Sequence, residues 1–226
     1  MIVISIGGSI VSKEKINVEY IKKVSEIIRK ASHNYKLGLV VGGGRLAREY
    51  IKAAKELTQN AYILDQIGIT STRLNAMLFL ANLSDIAYPK IADTIDEAIE
   101  YLESSNVVIM GGTEPGHTTD AVAALLAERA NAERLIIATN VDGIYDKDPK
   151  KFPDAKKLEK LTFNELIKIV MSIEYTPGVN AVIDHLAAMI IARSKIKTYV
   201  IFGEDLEELE KAIYGKDVKG SVIDGK

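Results

Sequence analysis

The stretch Leu37-Gly38-Leu39-Val40-Val41-Gly42-Gly43-Gly44-Arg45-Leu46-Ala47-Arg48 runs from an apolar segment into three glycines and out into a helical pattern. A short apolar run without polar alternation suits a strand buried on both faces, which requires helices packed above and below it. The glycine triplet ends that run, and apolar residues at helical spacing follow over 46–57. Strand, glycine turn and helix together form the building unit of a parallel α/β sheet.

The same unit recurs on either side. Residues 2–6 read as a buried strand ending in Gly7-Gly8-Ser9, with a helix over 18–31. Downstream, helices are expected over 65–83 and 95–102. Between them, 86–91 reads as a short strand, which Pro89 confines to an edge or a strand end. A strand at 107–110 ends in Gly111-Gly112 and leads to an alanine-rich helix over 121–130. A strand at 135–139 opens into a polar, turn-rich segment over 140–154. Helices near 163–171, 182–194 and 206–213, with strands at 197–202 and 219–223, complete the series. The expected architecture is a three-layer α/β/α sandwich with a mostly parallel central sheet. No internal repeat or low-complexity linker interrupts it, and the polar segment 140–180 is the expected boundary between two lobes of one sheet.

Composition narrows the chemistry. The chain has 226 residues, 47% hydrophobic and 27% charged, with 29 Lys and Arg against 31 Asp and Glu. A near-neutral balance argues against a broad nucleic-acid surface, and an ordinary apolar fraction argues against disorder. No apolar stretch approaches the roughly 20 residues of a membrane span. There is no cysteine, so disulfides, thiolate nucleophiles and Cys-ligated zinc are excluded, and the three scattered histidines make a His-rich metal site improbable. The first strand begins at residue 2, leaving no room for a secretion signal, so a soluble cytoplasmic protein is expected.

Three strand ends each carry adjacent glycines, and in sheets of this kind ligands bind at the carboxyl ends of strands. Glycine lets backbone N–H groups approach an anion, and a following helix N-terminus adds a favourable dipole. The joint pattern points to a ligand with several phosphates. The P-loop pattern GxxxxGK[ST] is absent. Gly42-Gly43-Gly44-Arg45-Leu46-Ala47 does match GxGxxG/A, with Asp65 lying 21 residues beyond Gly44. A dinucleotide fold would place that acid at the end of a second strand, whereas Asp65 opens the apolar pattern of a long helix, so an NAD-binding protein is the weaker alternative. The most informative segment is Gly111-Gly112-Thr113-Glu114-Pro115-Gly116-His117-Thr118-Thr119-Asp120, which sets hydroxyls and backbone amides between a buried strand and a helix. Thr119 or Asp120 is expected to cap that helix. Thr139-Asn140-Val141-Asp142-Gly143-Ile144-Tyr145, with Asp148-Pro149, forms another turn-rich loop after a strand.

Together these residues resemble the amino-acid kinase superfamily, and within it the archaeal type of uridylate kinase. The resemblance runs nearly end to end. It passes through Ile6–Ser9, 42–48, Ile67-Gly68-Ile69, the specific block at 111–127, the loop 139–148, and Val182-Ile183-Asp184 with Ala187-Ala188. It implies an acceptor lobe of about 1–135 and an ATP lobe of about 136–226. It also implies transfer of the γ-phosphoryl of ATP to UMP with Mg²⁺, in pyrimidine nucleotide biosynthesis, by a homohexamer built as a trimer of dimers. Gly43, Asp65 and the run Thr113, Glu114, Pro115, Gly116, His117, Thr118 and Thr119 would contact UMP. Gly8, Ser9, Gly44 and Arg48 would contact the phosphates of ATP, and Thr139, Asn140, Tyr145 and Asp148 would form the adenine and ribose pocket. Arg48 and Asp120 carry the catalytic expectations, with no metal ligand assigned to a protein side chain. Other acceptors on the same fold, a carbamate, an amino acid or isopentenyl phosphate, form the alternative.

Two departures from the superfamily pattern stand out. Many members carry a lysine two residues before the first Gly-Gly, where this chain has Ser5. The cation that stabilises the migrating phosphoryl must then come from elsewhere, Arg48 first and Lys13 second. In the back lobe, Gly178-Val179-Asn180-Ala181 holds no lysine where acetylglutamate kinases place a catalytic one.

Overall fold

The computed structural model describes residues 1–147, 149, 152–174 and 182–225. In chain order its elements are β1 (Ile2–Ile6), α1 (Gly8–Val11), α2 (Val18–Ala31), β2 (Leu37–Val41), α3 (Gly44–Lys55), α4 (Ala61–Leu83), α5 (Ile95–Ser104) and β3 (Val107–Met110). There follow α6 (Thr119–Arg129), β4 (Arg134–Thr139), β5 (Ile144–Tyr145), β6 (Lys157–Leu158), β7 (Lys160–Leu161) and α7 (Phe163–Glu174). The chain closes with α8 (His185–Ser194), β8 (Thr198–Phe202), α9 (Leu206–Ile213) and β9 (Ser221–Ile223).

Seven strands form one sheet in the order β3-β2-β1-β4-β8-β9-β7, and β5 and β6 form a separate ribbon. From β3 to β8 all neighbours are parallel, while β9 runs antiparallel to β8. Ile6 lies level with Val41 on one side and Ala138 on the other, so the loops after β1, β2 and β4 leave the sheet at one height.

The buried strands divide their side chains between two cores. Ile2, Ile4 and Ile6 of β1 pack with Ile28, Phe79 and Leu209 of α2, α4 and α9. Val3 faces the other layer, with Leu126, Leu166 and Ile191 of α6, α7 and α8. Both faces of β1 are closed to solvent, which is why its apolar run shows no alternation. The expected three-layer sandwich is the observed one.

Several element bounds differ from the sequence expectation. Residues 86–91 form no strand. They touch β3 through two isolated bridges, Ala87 with Val107 and Ala92 with Met110. The Tyr88 and Ala92 amides donate to the Val107 and Ile109 carbonyls, so four residues of this segment span two of β3 and the ladder is interrupted between the bridges, where Pro89 lies. Helix α4 begins at Ala61, where Asn60 accepts from the Tyr62 amide at 3.0 Å, so Asp65 sits in its second turn rather than opening it. Helix α8 begins at His185, because Asp184 is its N-cap and accepts from the Ala187 amide. The cap of α6 is Thr118, whose hydroxyl accepts from the Ala121 amide at 3.1 Å; Thr119 and Asp120 are its first two helical residues.

Candidate active site

From β1 the chain builds outward to β2 and β3, then returns to β4 on the other side of β1 and continues to β8. The reversal leaves a crevice above the carboxyl ends of β1 and β4, the usual ligand site of such sheets. Gly7 and Thr139 face each other there, and the Gly7 amide donates to the Ala138 carbonyl. The glycine turns are also bound to one another. A Cβ on Gly8 would stand 2.1 Å from the Gly44 nitrogen, and one on Gly44 would stand 2.1 Å from the Gly8 oxygen. Gly44 also has φ +62°, the left-handed region that favours glycine. These glycines are therefore demanded by backbone-to-backbone packing, whatever they present to a ligand.

On the β2–β3 side the turns enclose a cavity of about 310 Å³. Its apolar floor is Ala47, Ile51, Gly68 and Ile69, and its polar wall includes Asp65, Glu114, His117, Thr118 and Thr119, with Gly43, Gly112 and Gly116 at the backbone edges. Of the residues expected around the acceptor, all but Thr113 and Pro115 line it. Asp65 accepts a hydrogen bond from the Gly116 amide at 2.8 Å, which ties α4 to the 111–120 loop. Helix α6 points its first turn at the cavity, and the early amides of a helix lack intrahelical partners, so this edge suits an anion.

Three residues of α4 that sequence analysis did not single out hold this wall in place. The buried Thr72 hydroxyl donates to the Ile69 carbonyl at 2.6 Å and accepts from the Gly112 amide at 2.7 Å. Asn75, 1% exposed, donates to the Gly42 and Gly43 carbonyls at 2.8 and 3.1 Å. Arg73 donates to the Gly112 carbonyl and pairs with Asp93. The available signal was a polar run, Thr70-Ser71-Thr72-Arg73 with Asn75, in the middle of a long helix.

Asp120 lies between the cavity and the crevice. It sits deep in the site, with part of its surface still open to solvent, and its carboxylate accepts from the Ser5 hydroxyl at 2.6 Å. Burial raises its pKa to about 6; the Ser5 hydrogen bond opposes the rise, and the charge of Asp184 adds to it. Ser5, in place of the lysine, thus contacts the carboxylate without neutralising it. Asp184 also accepts from the Thr118 hydroxyl at 2.5 Å, so the caps of α6 and α8 are joined. Arg48 projects from the second turn of α3 and is exposed, with no ion pair among the described residues.

A larger cavity, about 720 Å³, opens at the amino ends of β2 and β3 beside His33, Lys36 and Asn106. It contains none of the expected site residues, and its polar groups are engaged with the backbone, Lys36 with the Leu102 carbonyl and Asn106 with that of Ser32.

The sequence model described as the amino acid kinase family matches residues 1–201. The chain belongs to the amino acid kinase family. It is 47% identical to a uridylate kinase of Thermococcus kodakarensis and 43% identical to one of Methanocaldococcus jannaschii, each over 99% of both chains. The crystal structure of uridylate kinase from Archaeoglobus fulgidus superposes with a TM-score of 0.89 at 47% identity, over 98% of this chain and 99% of that one.

The remaining residues that the family pattern singles out lie around β4. Thr139 ends the strand, and its carbonyl accepts from the Gly203 amide. Asn140 is exposed in the following turn. Tyr145 donates its hydroxyl to Asp142 at 2.9 Å, and Lys157 donates to Asp142 at 3.1 Å and to the Lys219 carbonyl. Burial pushes the Asp142 carboxyl up, but the Tyr145 and Lys157 hydrogen bonds and the Lys157 charge outweigh it and hold the group below the ordinary carboxylate range. Asp148 and the segment 178–181 lie outside the described residues.

Proposed function

We propose that this amino acid kinase transfers the γ-phosphoryl group of ATP to UMP, giving UDP and ADP in pyrimidine nucleotide biosynthesis. The observation that carries the proposal is the carboxyl-end cavity, lined by Asp65 and by residues of the 111–120 loop, in a chain 47% identical to a uridylate kinase over 99% of both chains. An apolar floor with a carboxylate at one end suits a base and the hydroxyls of a ribose, with Asp65 as acceptor for the latter. The amides at the start of α6 suit the phosphate. Gly43, Asp65 and Thr113–Thr119 hold the acceptor in this scheme. Gly8, Ser9, Gly44 and Arg48 meet the phosphates of ATP, and Thr139, Asn140, Tyr145 and Asp148 hold its nucleoside. The lobes divide near residue 135, acceptor before and ATP after.

The nucleophile is a phosphate oxygen that is already anionic, so no general base is required. Catalysis consists of in-line positioning and of neutralising charge as the phosphoryl group moves. Arg48, exposed on α3 and without an ion pair among the described residues, supplies positive charge. Asp120, bonded to Ser5, orients the cations gathered around the transferred group. Mg²⁺ enters with ATP as part of the substrate. An ion brought in this way is held chiefly by phosphate and water oxygens, with Asp120 as the nearby carboxylate.

The surface of α3 and α4 supports assembly into a homo-oligomer, a hexamer built from dimers. Tyr50 and Leu57 of this region are 60% and 87% exposed, beside exposed Tyr62, Leu74 and Met77, an apolar face that a second copy would cover. Light scattering on the purified chain tests the stoichiometry. Among the described residues no helix is long and apolar enough to cross a membrane.

The deciding experiment is a coupled assay for ADP formation with UMP, ATP and Mg²⁺, extended to CMP, dUMP and small phosphates. Turnover with UMP above all other acceptors is expected; absence of ADP formation with UMP overturns the proposal.

A further inference from the structure

Lys13 and Glu204 form an ion pair with Nζ 2.6 Å from Oε2. Lys13 follows α1, in the loop that leaves β1, and Glu204 lies just after β8. β4 stands between β1 and β8, so the pair spans the carboxyl end of β4, directly over the crevice where the strand order reverses.

The two ends of this bridge rest on fixed supports. Ser12, next to Lys13, accepts from the Arg45 amide through its carbonyl and from the Leu46 amide through its hydroxyl, binding the loop to the start of α3. Gly203, next to Glu204, donates its amide to the Thr139 carbonyl, and a Cβ there would lie 2.5 Å from the Ile10 side chain and 3.0 Å from the Ala138 backbone. The backbones are thus anchored beside the glycine turns while the two side chains remain 46% and 34% exposed. An exposed ion pair contributes little to stability, so its cation is exchanged at small cost. Glu204 has a second neighbour to turn to. The Tyr20 hydroxyl is buried without a hydrogen-bond partner among the described residues, and after burial itself the Glu204 charge is what holds its proton most firmly.

We propose that Lys13 is a phosphate-binding cation of the reaction, held by Glu204 when the crevice is empty and transferred to the triphosphate of ATP when it fills. This rests on the ATP-phosphate reading of the crevice and supplies part of the charge missing at Ser5. Glu204 acts as a competing anion that parks the lysine and weakens ATP binding.

The test compares Lys13→Gln and Glu204→Gln, since each breaks the pair but only one removes the cation. MgATP affinity is measured by calorimetry without UMP, and turnover is measured separately. Lys13→Gln is expected to weaken MgATP binding about tenfold and to lower kcat without moving KM for UMP, whereas Glu204→Gln tightens binding about threefold and Lys13→Arg retains it. Shifts in the same direction for both Gln variants, as a purely structural bridge would give, overturn the inference, as does an unchanged affinity in both. Opposed shifts in the two variants, with a wild-type chain that binds MgATP but does not phosphorylate UMP, overturn the acceptor assignment alone. Normal UMP turnover with unshifted variants overturns the lysine transfer alone.

Discussion

The acceptor cavity and the crevice around β4 lie at the same edge of one sheet but are held by different forces. Around the cavity the clamps are buried: Thr72 on Gly112, and Asn75 on Gly42 and Gly43. Around the crevice they are exposed ion pairs, Lys13 with Glu204 and Lys157 with Asp142. A buried hydrogen bond leaves an unsatisfied group when broken, whereas a surface pair is replaced by water. The cavity is therefore built to hold one shape, and the crevice to rearrange around a ligand.

The comparison is most severely tested at the contact between glycine turns. Gly44→Ala places a Cβ 2.1 Å from the Gly8 oxygen at a φ of +62°. Neither strand end can retreat, since both lie in the buried centre of the sheet. A loss of more than about 4 kcal/mol is expected, enough to prevent folding at moderate temperature. A thermal midpoint within a few degrees of the wild type would mean that the turns are looser than their packing implies.

Asp120, at the junction of the two regions, gives the next largest effect. Its folded-state pKa of about 6 lies above the ordinary carboxylate value. The folded chain therefore holds the proton at pH values where the unfolded chain has released it, and stability falls as pH rises from about 4 to about 6. Asp120→Asn removes that loss, so the variant should gain up to about 3 kcal/mol over wild type at pH 7–8 and nothing at pH 4. Phosphoryl transfer should fall about 100-fold, since the charge that orients the cations is gone. Denaturant melts at the two pH values and the coupled assay together check both signs. A variant less stable at pH 7 would mean that a cation not seen in the unliganded site accompanies Asp120.

Thr72→Val separates the two sides directly. It leaves the buried Gly112 amide without an acceptor, at a cost of about 2 kcal/mol. KM for UMP should rise severalfold while KM for ATP stays within twofold. Equal changes in both constants would show that the α4 clamp serves the crevice as well.

The sequence carried the architecture because β1, β2, β3, β4 and β8 are buried on both faces and end in glycine or at a turn, a pattern that does not depend on distant partners. Residues 86–91 misled because an apolar run beside a strand looks like a strand, whereas here the segment bulges between its two bridges to β3 and forms no continuous ladder. The lining of the cavity was visible in 111–120 because loop residues with hydroxyls have little other reason to follow a buried strand. Thr72 and Asn75 were hidden because a polar residue on a long helix signifies nothing until the topology brings a glycine carbonyl or amide against it. The Lys13–Glu204 pair was beyond reach for the same reason: its partners are 191 residues apart, and only the strand order makes them neighbours.

The smallest effect is expected at Asp142, and its smallness is what the comparison requires. Its carboxylate is held below the ordinary range by Tyr145 and Lys157, so the stability it contributes is present above the unfolded-state pKa and is lost as pH falls through the lower, folded-state value. Because the Lys157 pair is half open to solvent, Asp142→Asn should cost no more than about 1 kcal/mol at neutral pH. The cost should shrink in 0.5 M salt, since screening reaches surface charges first. Freed from Asp142, the Tyr145 ring loses its tether, and KM for ATP should rise two- to threefold with KM for UMP unchanged. A cost near that of Thr72→Val, insensitive to salt, would show that the crevice is as rigidly built as the cavity, and would remove the physical basis for treating its ion pairs as exchangeable.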